Sequence, residues 1–257
     1  MNTQPTALFL LTSMVLLGGC SSATHEPSAI AEGAVAWAGE QHKAVHDGDV
    51  GAKVRLSDLA RRPHLYAVGP LEGLTGEITV LDGQPTISTI ERGAFRTASS
   101  LDHGAAFFVW TYSANWKPVP LPGSVRTLED LAAYLPDAAR AAGLDARVPL
   151  AFRVDGKVES LHYHVLSPPA HTLPTFEDHE KAKVHSSVAA RTVRMVGFYS
   201  TEHRGVFTPG TSDVHAHFVT DDGRFAGHVE EFELATGAVL LFPTSSASAN
   251  RSEDSKR

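Results

Sequence analysis

The sequence predicts a strand-dominated α+β protein, and three features carry that reading. Asp82-Gly83, Asp155-Gly156 and Asp222-Gly223 each stand between runs of β-formers, the strongest short-range signal for a hairpin. Residues 105–112 form a short apolar, aromatic run of the kind that fills a buried strand. Only the stretch from Thr127 carries a full set of helix signals: a capping hydroxyl, Glu129 and Asp130 at the positive end, and Leu128, Leu131, Ala132 and Leu135 at helical spacing.

A chain of 257 residues suits one large domain or two small ones, with ample material for a core. Its 42% hydrophobic and 20% charged content is that of a soluble globular protein. A formal charge of −7 leaves no basic footprint, which argues against a nucleic-acid partner. The single cysteine, Cys20, excludes an intramolecular disulfide and any cysteine-rich metal site.

Residues 7–19 form an apolar run of signal-peptide length, too short to span a bilayer as a helix. It ends in Leu17-Gly18-Gly19-Cys20, which resembles the lipobox of bacterial lipoproteins, and Ser21 resembles outer-membrane sorting. Residues 1–20 are therefore expected to be a signal peptide. The mature chain is expected to be exported and lipid-anchored to a bacterial (outer) membrane, facing the periplasm or the exterior. Several acyl chains on one residue anchor stably where one is marginal. Residues 21–50, rich in Ala, Gly and Ser, read as a flexible tether with one short helix. The folded domain is expected over 51–242 and a disordered tail over 243–257.

Within that domain, Ser57-Asp58-Leu59 opens a helical turn that Pro63 stops. Leu65-Tyr66-Ala67-Val68 and Glu77-Ile78-Thr79-Val80-Leu81 read as strands joined through Gly73–Gly76. The helix from Thr127 is expected to be interrupted by Pro136 and ended by Gly143. Residues 148–166 read as a hairpin about Asp155-Gly156, and residues 193–199 as a further strand.

The chemistry concentrates in residues 213–231. Val214, Phe218, Val219, Phe225 and Val229 are β-formers around Asp222-Gly223. A type I′ turn on that pair places His217 directly across from His228, and Glu230 across from His215. His215 shares the face of His217 because strand side chains alternate with period two. Opposed side chains on one face have Cβ atoms about 4.5–5.5 Å apart, so three imidazoles converge. Three neutral imidazoles with one position open is the ligand set of catalytic zinc. Gly227 fits such a site, since a glycine inside a strand marks close approach by a ligand or another backbone.

Several segments, in order, resemble the acetolactate decarboxylase family. Leu71-Glu72-Gly73-Leu74-Thr75-Gly76-Glu77-Ile78-Thr79-Val80-Leu81-Asp82-Gly83 is similar to its N-terminal motif, and Phe152-Arg153-Val154-Asp155-Gly156 to its central hairpin. Val196-Gly197-Phe198-Tyr199 leads into His215-Ala216-His217-Phe218, and Gly227-His228-Val229 completes its zinc motif. The resemblance implies two β-rich subdomains, a mixed sheet plus a barrel-like sheet carrying the zinc hairpin, with few helices. It also implies one Zn2+ on the three histidines, a homodimer, and conversion of 2-acetolactate to acetoin and CO2. In that chemistry the metal stabilises an enediolate as a Lewis acid, and Glu77 delivers the proton or partners the group that does.

Two departures from the family pattern matter. The family's carboxylate-clamping arginine falls at His164 here, and the Asp155-Gly156 register sets Arg147 opposite it as a replacement. A further family carboxylate from beyond the zinc hairpin has no matching motif, and Glu230 is the candidate substitute. The same residues also fit a related zinc enzyme acting on another small 2-hydroxy-3-oxo acid, or a non-catalytic lipoprotein that binds zinc or a small acid. His162 shares a face with His164, while His103, His171, His179 and His185 lie in no motif and read as surface. Trp37, Trp110 and Trp116 read as packing residues.

Overall fold

The computed structural model describes residues 30–168 and 176–244. The signal segment, Cys20, His171 and the tail past residue 244 lie outside the described residues. In chain order the strands are β1 (Val35–Ala38), β2 (Val54–Arg55), β3 (Leu65–Pro70), β4 (Glu77–Leu81), β5 (Gln84–Glu91), β6 (Ala94–Ala98) and β7 (Gly104–Ala105). They continue with β8 (Phe108–Tyr112), β9 (Trp116–Val119), β10 (Leu150–Leu166), β11 (Lys183–Tyr199), β12 (Val214–Thr220), β13 (Ala226–Leu234) and β14 (Val239–Pro243). Helices α1 (Gln41–His46), α2 (Leu56–Leu59), α3 (Leu128–Ala141) and α4 (Phe176–Ala182) lie between them. Strands dominate and the fold is α+β, as the sequence predicts.

Asp82-Gly83 turns the chain as its composition requires. Both residues hold positive φ, 51° and 75°, and Leu81 pairs with Gln84 across the tight reversal. The resulting β4–β5 hairpin sits inside a six-stranded sheet ordered β1-β8-β3-β4-β5-β6. The mixed sheet that the family resemblance implied is antiparallel at every pairing. Residues 35–46 are not a tether: β1 pairs with β8 from Val35 to Ala38, and α1 buries Ala44 and Val45.

The second sheet is ordered β11-β12-β13-β10-β14-β9, with an extra pairing between β10 and β11 that partly closes a ring without making a barrel. It corrects the central hairpin. Residues 150–166 form one continuous strand, which pairs along its length with β11 from Leu150↔Tyr199 to Leu166↔Lys183. Gly156 stands in mid-strand, where an added Cβ would lie 2.7 Å from the Ala238 Cα. It is there for close approach of a neighbouring backbone and not for a turn. Local hairpin propensity lost to a long antiparallel partner that satisfies nearly every backbone group of the strand.

Helix α3 starts as expected. Thr127 and Asp130 form a reciprocal capping box, and Gly143 follows the end at φ 83°. It runs through Pro136 without interruption. A proline inside a helix costs about 3 kcal/mol, and the buried stripe of Leu131, Leu135, Ala138 and Ala139 packed on the second sheet offsets it. Between the two large sheets, Tyr66, Val68 and Val109 of the first pack against Ala151, Val196 and Phe198 of the second. That contact brings β4 against β12 and β13.

Candidate metal centre

The hairpin of β12 and β13 sets His217 opposite His228, Phe218 opposite Gly227 and Val219 opposite Ala226, the register read from the sequence. The turn that produces it differs. Only Gly223 has positive φ, at 68°, so Asp222-Gly223 is not a type I′ pair. Instead the amide of Thr220 bonds to the carbonyl of Phe225, and that of Gly223 to the carbonyl of Thr220. This is a four-residue loop over 221–224 centred where the two-residue turn would be, so opposed residues stay opposed.

Each of His215, His217 and His228 offers a ring nitrogen within 4.8 Å of the others. His215 Nε2 lies 3.2 Å from His217 Nε2. His215 Nδ1 donates to the carbonyl of Phe207 at 2.6 Å, which leaves its Nε2 bare and facing inward. His217 Nδ1 lies 3.2 Å from the Thr79 hydroxyl on β4. Burial favours the neutral imidazoles: His215 is pushed down to about 4, and His217 and His228 fall well below the usual histidine range. Neutral imidazole is the ligating form.

Glu77, the first residue of β4, is 2% exposed. Its carboxyl lies 3.6 Å from His217 Nε2 and 3.9 Å from His164 Nε2. Burial raises it well above the usual carboxylate range, against the Leu166 amide and the charge of Lys183, which both lower it. His164 is also buried, and its ring stacks on that of His228 with centroids 4.6 Å apart. Glu77 and His164 therefore both lie beside the three histidines.

Glu230 and Arg147 do not take the places expected of them. Glu231 pairs with His162 and Val229 with Tyr163, so Glu230 is the extra residue of a bulge and has no place in the β12–β13 ladder. Its carboxylate instead accepts from His164 Nδ1 at 3.1 Å and from His185 Nδ1 at 2.8 Å. The His164 bond first, then the His185 bond, hold it down to about 2. It orients His164 and does not face His215. Arg147, without the hairpin that would have folded it back, lies outside β10 with a side chain 90% exposed, bonded to Asp145. His164 faces His185 and His228 on the neighbouring strands instead.

A cavity of about 60 Å³ opens beside the histidines, lined among others by Gln41, Phe107, His179 and Lys183. These four carry no motif. Gln41 sits in the segment read as a tether, and His179, expected at the surface, is 6% exposed and pushed down to about 4 by burial. His185 is half exposed and tied to Glu230, while His162 is exposed. Trp110 is buried, and Trp116 packs edge-on against Tyr66. Trp37 keeps 40% of its surface while packing on His203 and Phe207. A roomier cleft of about 270 Å³ near Val35 and Val148 is lined by apolar groups with Glu32 and Asp145, so volume does not mark the chemistry.

The fold is shared with known proteins. The chain is similar in structure to a Staphylococcus aureus protein of unknown function described as similar to alpha-acetolactate decarboxylase. Identity is 16%, the match covers 87% of this chain and 93% of that one, and the TM-score is 0.67. It is also similar to the alpha-acetolactate decarboxylase of Bacillus subtilis strain 168, with 15% identity, 82% and 85% coverage and a TM-score of 0.65. The acetolactate decarboxylase of Bacillus subtilis subspecies spizizenii gives 15% identity, 84% and 92% coverage and a TM-score of 0.67. At such identities the likeness shows the fold. No curated protein matches the chain. The model of the alpha-acetolactate decarboxylase family matches residues 42–256, and on that match the chain belongs to the alpha-acetolactate decarboxylase family.

Proposed function

We propose that this chain is a zinc-dependent carboxy-lyase that converts 2-acetolactate to acetoin and CO2. One observation carries the reading: three imidazoles, two buried and one half-buried, converge within 4.8 Å, and a buried acid lies 3.6 Å from one of them. The donor set fits a divalent ion. The Phe207 carbonyl leaves His215 Nε2 bare, and nitrogen ligands in a three-histidine set suit zinc with one position open. A bound zinc ion supplies Lewis-acid stabilisation of the negative charge that loss of CO2 leaves on the substrate's oxygens.

The chain's own residues manage the proton. Loss of CO2 from the 2-acetolactate anion leaves an electron pair at C2, and one proton added there gives acetoin. Glu77 is the group to deliver it: its carboxyl lies 3.6 Å from His217 Nε2, and burial raises it well above the usual carboxylate range, which favours the protonated form. His164 lies 3.9 Å from Glu77, and its bond to Glu230 fixes the ring with Nε2 turned toward that carboxyl. The second sheet's aromatic and aliphatic packing behind the histidines keeps water from quenching the charge early.

The signal segment and lipobox resemblance support an exported, lipid-anchored protein, and the family supports a homodimer. Cys20→Ala tests the first by abolishing acyl labelling, and sedimentation tests the second. The activity is tested by supplying purified protein with zinc and racemic 2-acetolactate and following acetoin and CO2. Release should be lost on chelation and restored by zinc. Release no greater than that of a metal-only blank would remove the decarboxylase reading, while metal analysis showing about one zinc per chain tests the site separately.

A further inference from the structure

A carboxylate moved from water into a buried cavity needs a charged partner or it does not stay ionised. Among the described residues lining the cavity beside the histidines, only Lys183 carries a permanent positive charge. It is the first residue of β11, opposite Leu166, whose amide bonds to Glu77. Its side chain is 19% exposed, and its ammonium pairs with Glu180 of α4 at 2.7 Å. Glu180 is 46% exposed, so water replaces that pairing at little cost on the carboxylate side. Lys183 lines the cavity together with Glu77, His164, His179 and His228. A four-carbon stem lets the ammonium swing between two acceptors.

We infer that Lys183 is the carboxylate anchor of this site, exchanging Glu180 for the carboxylate of a small monoanionic hydroxy acid in the cavity beside His164 and His228. The inference rests on the reading that the site takes a small acid, and it adds the residue that selects the anion. The group that leaves is neutral CO2, so a cation on the carboxylate favours the bound substrate more than the transition state. Loss of Lys183 should therefore weaken binding and spare the chemical step.

Calorimetry on the zinc-loaded protein with 2-hydroxyisobutyrate, which has no keto group and cannot react, and with its neutral amide, tests this directly. The acid is expected to bind more tightly than the amide. Lys183→Met should weaken the acid about tenfold and leave the amide unchanged, and Lys183→Arg should restore most of the loss. Glu180→Gln should tighten the acid by freeing the ammonium, a gain that a merely structural lysine would not produce. With 2-acetolactate, Lys183→Met should raise KM about tenfold without lowering kcat. Equal affinity for the acid in wild type, Lys183→Met and Glu180→Gln overturns the anchor, as does a loss shared by the amide. Turnover with an unchanged KM in Lys183→Met overturns the anchor alone. The calorimetric pattern without any turnover would leave the anchor standing and remove the decarboxylase reading. Should Lys183→Met not fold, Lys183→Arg and Glu180→Gln carry the same decision.

Discussion

Acidifying the metal-free protein should unfold it partly through His215, and the size of the effect follows from the site. In the folded chain burial pushes His215 down to about 4 from an ordinary value of 6.5. Between those values the unfolded chain binds a proton that the folded chain refuses, so stability rises with pH across that window and is lost as pH falls. From pH 7 to pH 5 the loss from this residue is about 2 kcal/mol, a melting-temperature drop of about 4–8 °C for a domain of this size. His217 and His228 act with the same sign. Glu77 acts with the opposite one: raised in the folded state, its contribution is full below about 4.5 and is lost as pH rises. The net slope therefore mixes signs, and the informative quantity is a difference of differences. Thermal and urea unfolding of wild type and His215→Gln, each at pH 7 and pH 5 in chelator, supply it. Glutamine loses the Phe207 bond at both pH values, so that term cancels. Wild type should lose about 2 kcal/mol more than the variant on acidification. Curves that move in parallel, within about 0.5 kcal/mol, would refute the burial argument for neutral ligands.

Glu77→Gln should keep its zinc by metal analysis and lose at least about 100-fold in acetoin formation, since the amide has no proton of comparable acidity to give. Gly227→Ala should cost about 2 kcal/mol in urea unfolding and lower zinc stoichiometry. The added Cβ would meet the His164 carbonyl at 2.7 Å and Tyr163 at 2.8 Å, beside His228. An unchanged midpoint would show that the backbone yields there. Arg147→Ala should leave KM for 2-acetolactate within about twofold, because that guanidinium is spent on Asp145 at the surface. A tenfold rise would return it to the site.

What could be read before folding was what lies close along the chain. Period-two alternation put His215 and His217 on one face, and a reversal near Gly223 brought in His228. That register survived an error in turn type because the four-residue loop shares its centre with the expected two-residue one. The capping box at Thr127 was legible for the same reason, being a bargain struck within four residues. Pro136 and Asp155-Gly156 were misjudged where a local preference of a few kcal/mol or less met a long partner strand or a buried helix face.

The sequence alone thus determined the strand-dominated fold class and the register of the three-histidine hairpin, and its family resemblance pointed to Glu77. Tertiary structure decided which groups stand around that hairpin. It straightened β10, setting His164 against His228 and leaving Arg147 in solvent, and it bulged β13 so that Glu230 turned to His164. It also carried Gln41, His179 and Lys183 into the cavity from segments with no motif. Residues that meet across sheets share no spacing along the chain, so their encounter is set by how two buried faces pack and by nothing periodic in the sequence.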